Sequence, residues 1–199
     1  MATVADAGEV ARVLAAGFRD DPVMAWTFGG DGTTDADAHA EARLDKLSAF
    51  FTFLAREALV PMEATYLLGD ACAAWTPPYP AEWPEERQVQ FAAALAPVCT
   101  RADFERMQLL SETIDAAHPP QPHWYLGLLA TMPEAQGQGL GSRLLNQTLD
   151  VVDAARSAAY LEASSLRSVP LYVRHGFKEI GVIEIPGGPS MTAMWRAPA

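Results

Sequence analysis

The chain has 199 residues, half of them hydrophobic, with a formal net charge of −11. That length suits one domain with a sizeable core, and the apolar share excludes a disordered chain. The acidic balance, with a pI near 4.7, argues against nucleic acid and anionic membrane surfaces as partners and suits a cation such as an amine.

The start, MATVADAGEVARVLAAGF, has early acids and no long apolar run, so it reads as neither signal peptide nor membrane span. Residues 6–19 have the apolar spacing of an amphipathic helix, with Asp6 as its cap. Asp20-Asp21-Pro22 breaks it, and PVMAWTF is a short turn or helix. The polar, glycine-rich GGDGTTDADAH at 29–39 is a loop and the segment expected to be least ordered. A long helix over 37–59 follows, then a hairpin of strands at 64–68 and 71–76 around Gly69-Asp70. Helical text fills 84–118, broken near Pro97.

HWYLGLLAT at 123–131 is apolar on both faces, as a covered central strand requires. Beyond Pro133 comes a turn holding Gln136, Gly137, Gln138, Gly139 and Gly141, and then a helix with Leu140, Leu144, Leu145, Leu149 and Val152 at helical spacing. AAYLEAS around 160–163 is a short strand parallel to the first, so the three pieces make a right-handed βαβ unit. A short helix at 168–175 ends at Gly176, a left-handed cap, and strands at 177–185 and 190–195 close the chain. The order predicts an α/β (α+β) fold: a mixed sheet with helices on both faces.

The strand–glycine turn–helix junction carries the chemistry. A helix begins with N–H groups that have no internal partner and a partial positive charge, and glycines let an anion approach them. This junction is therefore expected to bind phosphate. The dinucleotide fingerprint does not fit, because Gly137, Gly139 and Gly141 make GxGxG, and no Gly-Lys-Ser/Thr follows for a Walker loop.

What fits is Gln136-x-x-Gly139-x-Gly141 directly after an apolar strand, which resembles the acetyl-CoA pyrophosphate loop of the GNAT N-acetyltransferases. Downstream, Leu171-Tyr172-Val173-Arg174-His175-Gly176-Phe177 is similar to that family's LYxxxGF segment, in the usual order and at about the usual spacing. LEASSLRSVPLYVRHGF, the closing PGGPSMTAMWRAP and the upstream CAAWTPP further resemble the puromycin N-acetyltransferase branch. The likeness is dense from 118 to 198 and weak but traceable before that. It implies a GNAT fold with a mostly antiparallel sheet and splayed central strands. It also divides the single domain into an acceptor-side half, 1–120, and an acetyl-CoA half, 121–199. It further implies acetyl-CoA as co-substrate; a monomer or homodimer is expected, cytoplasmic by its cysteine usage and without a metal because no histidine pair has ligand spacing. The two cysteines, Cys72 and Cys99, offer neither disulfide framework nor metal spacing.

The resemblance implies a role for each matched residue. Leu129, Ala130 and Thr131 would pair with the pantetheine arm, with the Leu129 N–H as oxyanion donor. The backbone amides of Gln136, Gly137, Gln138, Gly139, Leu140, Gly141 and Ser142 would hold the pyrophosphate. Ser165 and Ser168 stand where the family and the puromycin branch, respectively, have an asparagine at the cofactor; serine keeps a donor and an acceptor with shorter reach. Tyr172 would be the general acid, a phenol with an ordinary pKa near 10. Three readings compete for the base: Glu112, which aligns with a glutamate of the branch; Glu162, which sits in an apolar strand and is expected to be partly buried or ion-paired with Arg167 or Arg174; and a water chain with no protein base. His118 is expected in a loop or packing role, and His39 and His175 on the surface. Trp26, Phe28, Trp75 and Trp83 are either an aromatic acceptor pocket or core. The implied reaction is direct transfer of acetyl from acetyl-CoA to a primary amine of a small molecule. The alternatives are a protein N-terminus, lysine or polyamine as acceptor, and a sensor that binds acyl-CoA without turnover.

Overall fold

The computed structural model describes residues 1–29, 36–80 and 83–198. The loop expected at 29–39 lies mostly outside them, as does the side chain of His39. Strands β1 (Thr65–Leu67), β2 (Ala71–Thr76), β3 (His123–Thr131), β4 (Ala158–Ala163), β5 (Lys178–Glu184) and β6 (Ser190–Arg196) form one sheet in the order β1-β2-β3-β4-β6-β5. Every pairing is antiparallel except β3 with β4. That parallel pair is joined by helix α6 (Leu140–Ala154), the expected βαβ crossover.

Helices cover both faces. On one, α6 and α7 (Val169–Arg174) place Leu144, Leu145, Leu149 and Tyr172 against Ala73, Trp75, Leu161 and Met194. On the other, α1 (Ala7–Gly17) and α3 (Ala36–Leu54, extended by one wide turn at Ala55–Leu59) pack Val10, Leu14, Leu47 and Phe51 on Cys72 and Ala130. Beside them α2 (Pro22–Thr27) and α5 (Arg101–Ala117) set Val23 and Leu110 on Tyr160, Ile183 and Met191. Helix α4 (Glu85–Leu95) is the other helix of the broken 84–118 segment. No helix among the described residues is long and apolar enough to cross a membrane.

Two local expectations change. The Asp6 carboxylate does not cap α1; it accepts from the Thr3 backbone at 2.8 Å and the Thr3 hydroxyl at 2.7 Å, closing a 3-10 turn at Val4–Asp6. β3 contains a bulge: Ala74 opposes Leu128 while Trp75 opposes Leu126, leaving Gly127 without a partner. One extra residue shifts the two-residue alternation. Leu126 and Leu129 therefore share the α6 face, while Leu128 and Ala130 share the α1 face.

Helix α5 is anchored by charge. Asp103 is fully buried and meets Lys46 of α3 at 2.7 Å and Arg106 at 2.7 Å. Burial alone would raise its pKa, but Lys46 and Thr100 outweigh that and hold the carboxyl below its usual value. A depressed folded-state pKa contributes stability above the unfolded value, near 4, and loses it as pH falls through the folded value. Lys46→Met is expected to destabilise by about 3 kcal/mol, since it leaves a buried charge short of a partner. Denaturant melts at pH 7 measure this, and Asp103→Asn should flatten the fall in stability below about pH 4.

Candidate active site

The site begins where two central strands part. β3 pairs with β4 only from His123 to Tyr125, opposite Ala158 to Tyr160. Beyond Tyr125 the β4 side of β3 is open, and a cleft of about 490 Å³ passes between the strands. It is walled by α1–α2 residues such as Phe18, Asp21 and Met24, by Leu126 to Thr131, and by Gly141, Ser168, Leu171 and Tyr172.

Alternation decides which strand groups face this opening. Met132 donates its N–H to Asp70 O at 2.9 Å, so residue 132 bonds toward β2. In an antiparallel ladder such residues recur every second position. Ala130 and Leu128 therefore bond β2, while Leu129 and Thr131 turn N–H and C=O into the cleft. This corrects the expectation for Ala130, whose backbone is engaged and whose methyl is buried under α1. Thr131 O accepts from Gln136 Nε2 at 3.2 Å, which ties the glycine loop to the strand.

The loop is shaped for an anion. Gly137 and Gly139 both have φ of +77°, a left-handed conformation that glycine adopts without strain. Gly139 is the N-cap of α6, whose first turn contains no acid. Among the described residues, no acceptor meets the N–H groups of Gly137, Gln138, Gly139, Leu140, Gly141 and Ser142; the Arg143 N–H is the first to find one, Gly139 O at 3.1 Å. The Gln136 N–H is already given to Pro133 O at 3.3 Å. Six consecutive free amides at a helix start form an anion nest. Gly141 also lies within 4 Å of Leu129 and Thr131 side chains for any added Cβ, so the nest abuts the open strand.

Tyr172 is on the α6 side of the cleft and is buried. Burial first, and the charge of Asp21 second, raise its pKa well above that of a free phenol. Ser165 and Ser168 line the same wall, with the Ser168 hydroxyl donating to Ser165 O at 2.7 Å. The Ser165 hydroxyl accepts the Arg167 N–H at 3.2 Å, so both serines are engaged locally.

Glu162 comes from the opposite face. In β4, Leu161 and Ala163 face α6, so Tyr160 and Glu162 point toward α2 and α5. The Glu162 side chain is 3% exposed and lines the cleft. Its nearest cation-forming partner is His118, 3.9 Å away, and not Arg167 or Arg174 as expected. Glu112 is exposed on α5, accepts from Gln108 at 2.8 Å and lines no part of the cleft, so the solvated reading of that residue is the correct one.

Of the two readings of the four large aromatics, packing rather than an acceptor pocket is the one found. Trp75 and Phe28 are core, Trp26 donates to Gly187 O at 2.8 Å, and Trp83 packs on Phe53 and Phe91. A second cavity of about 560 Å³ instead opens beyond Tyr125 and Ile114, which line both spaces; its walls include Pro77, Pro78, Pro122 and His118.

Sequence reasoning missed Asp21, which reads as a helix breaker. Its Oδ1 caps α2, accepting from the Val23 and Met24 N–H groups at 2.9 and 3.0 Å, and its Oδ2 accepts from the Ser164 hydroxyl at the cleft wall. The Asp-Pro pair was a cap signal; nothing local linked it to Ser164, 143 positions away.

The model of the Acetyltransferase (GNAT) family matches residues 68–177. Among solved structures, a Corynebacterium glutamicum protein described as histone acetyltransferase HPA2 and related acetyltransferase is 27% identical, with a TM-score of 0.68 over all of this chain and 94% of that one. A polyamine N-acetyltransferase of Drosophila melanogaster shares the fold at 15% identity and TM-score 0.61, covering 99% and 97% of the two chains. Arylalkylamine N-acetyltransferase 2 of Aedes aegypti does so at 12% and 0.60, covering 98% and 96%.

Proposed function

The chain belongs to the acetyltransferase (GNAT) family, and from that premise we propose that it transfers acetyl from acetyl-CoA to a primary amine of a small molecule, by direct attack within a ternary complex. The observation that carries this reading is the row of six unpartnered amides, Gly137 to Ser142, abutting the open edge of β3. That donor set fits a diphosphate, which needs many N–H donors and no protein anion nearby. Acetyl-CoA supplies the acetyl group already activated as a thioester.

The protein's own groups have separate tasks. The N–H groups of Leu129 and Thr131 are positioned to align an extended arm, and that of Leu129 to stabilise negative charge on a carbonyl oxygen. Glu162 takes a proton from the attacking nitrogen. Tyr172 gives its phenolic proton to the departing sulfur, and Ser165 and Ser168 shape the wall beside it. Neither cysteine suits a covalent acyl-enzyme: burial raises Cys72 to about 12, and burial, with Asp103 second, raises Cys99 to about 11, so neither is a thiolate at neutral pH.

A small amine as acceptor is supported by the fold neighbours, one a polyamine and one an arylalkylamine acetyltransferase. The puromycin-branch likeness does not assign puromycin as substrate, because the acceptor side lies in the weakly matching half; puromycin enters the test as one amine among several. The test follows free thiol when the protein meets acetyl-CoA with agmatine, spermidine, 2-phenylethylamine, puromycin or a lysine peptide. Turnover with a small amine and none with the peptide is the expected result; peptide turnover alone would overturn the acceptor class. Gly139→Val places a β-branched residue at φ +77° in the nest. It is expected to weaken CoA binding by about 5- to 150-fold, since such backbone strain costs on the order of 1–3 kcal/mol. Calorimetry with CoA checks it, and unchanged affinity would remove the loop assignment.

A further inference from the structure

A base on a substrate-filled cleft must lose its proton before the next turnover, and the Glu162 side chain, 3% exposed, opens onto that same cleft. Its Oε1 is buried and makes no hydrogen bond among the described residues, although the phenols of Tyr125 and Tyr160 face the same carboxylate, which, after burial, raises the pKa of both. A buried polar atom left without a partner calls for a reason. Facing it is His118, the C-cap of α5, with Nδ1 3.9 Å from Oε1 and a side chain 32% exposed on the proline-walled cavity. Proton transfer across that gap needs the two side chains to approach to hydrogen-bond length, about 2.7–3.2 Å.

Hydrogen bonding fixes the His118 tautomer. His123 Nδ1 lies 2.6 Å from Gln121 O. A carbonyl only accepts, so this nitrogen carries the proton and neutral His123 leaves Nε2 bare. His118 Nε2 is 3.1 Å from that bare nitrogen and must donate to it. The lone pair of neutral His118 is therefore on Nδ1, toward Glu162. Burial, more than any neighbour, lowers the His123 pKa, which keeps it the neutral acceptor of the pair. Edge-on contacts with Tyr125 and Tyr160, at 4.9 and 5.2 Å between centroids, flank the His118 ring. The titratable groups around it are Glu162 and Tyr160 on β4, His123 and Tyr125 on β3, and Asp115 on its own helix.

We propose that His118 relays the amine's proton from Glu162 in the cleft to the cavity on the other side of Tyr125. This rests on Glu162 being the base. The amine N–H breaks as the carboxylate oxygen takes the proton. That O–H then breaks as an N–H forms at His118 Nδ1, leaving imidazolium beside carboxylate. Rotation of the imidazolium ring about Cβ–Cγ then carries Nδ1–H from Glu162 to the exposed side of the ring, where water in the cavity takes the proton and restores both groups; no electrons are exchanged. His118 acts only through Glu162 and touches no reacting atom, and the chain ends there because His123 hands on only to a carbonyl.

Two measurements test this. In the wild-type protein, ring 15N shifts at neutral pH should report His118 protonated at Nε2 and bare at Nδ1; the opposite tautomer overturns the relay, whatever any variant does. With the best amine of the panel above, His118→Ala should lower kcat at least about tenfold with KM for acetyl-CoA unchanged. Imidazole, entering the cavity the missing ring opens, should restore rate, whereas pyrazole, of the same size but scarcely basic, should not. Wild-type kcat in His118→Ala, or a deficit that imidazole and pyrazole affect alike, overturns it. Glu162→Gln separates the two readings. If it retains wild-type rate, the base assignment fails and the relay with it. If it is slow while His118→Ala is not, only the relay fails.

Discussion

Glu162→Gln is expected to lower kcat by about 100-fold, the scale at which a positioned base contributes, while leaving CoA affinity unchanged. Glutamine keeps the volume and polarity of a side chain that is 3% exposed, so packing is preserved and only the ability to take a proton is lost. Affinity should hold because Glu162 and the amide nest lie on opposite faces of the sheet, joined only through the parted strands. The deficit should shrink as pH rises toward the ordinary amine pKa of about 10, where free amine no longer needs a base. Glu112→Gln, by contrast, should behave as wild type, because that carboxylate is exposed and bonded to Gln108. Equal kcat for wild type and Glu162→Gln at pH 7 would remove Glu162 from the mechanism.

Tyr172→Phe is expected to lower kcat on a similar scale, about 100-fold, again with little change in CoA affinity. The substitution removes one oxygen from a ring that remains packed near Phe177, at 6.1 Å between centroids. Burial and the charge of Asp21 raise the phenol's pKa. A raised value means that the proton stays on throughout the neutral and mildly alkaline range, so the group is always ready as an acid. The sign gives a second expectation: wild-type kcat should show no alkaline loss attributable to this tyrosine below about pH 10. Asp21→Asn should weaken the cap of α2 and the Ser164 contact without abolishing turnover. Steady-state kinetics with calorimetry on the same samples measure both quantities; unchanged kcat in Tyr172→Phe would show that the sulfur obtains its proton elsewhere.

The acceptor side was harder to read than the donor side for a physical reason. The phosphate nest is local: its glycines, the preceding strand and the following helix are contiguous between 123 and 154, and backbone amides do the binding, so spacing alone reveals it. Tyr172 was legible through a second contiguous motif. Glu162 and Glu112 were not separable, since each was one carboxylate in an apolar setting. Position in the sheet separated them: β4 alternation turned Glu162 inward to the cleft, while Glu112 fell on the solvent side of α5. The four large aromatics were drawn into the core and its flanks for the reason large rings usually are, the apolar area they remove from water. His118 looked like a loop histidine because its partners, His123 and Glu162, meet it only once α5 packs across β3 and β4.

What the residues determined by themselves is everything that depends on neighbours along the chain: the order of helices and strands, the hairpin, the βαβ unit, the left-handed glycines and the amide nest they expose. What tertiary structure alone decided is the parting of β3 from β4 after Tyr125, the one-residue slip at Gly127, and the meeting of Glu162 with His118 and of Asp21 with Ser164. Those features arise from registers and helix packing between segments many residues apart, and the closure of such distant contacts is fixed by burial of the whole core, which no local pattern encodes.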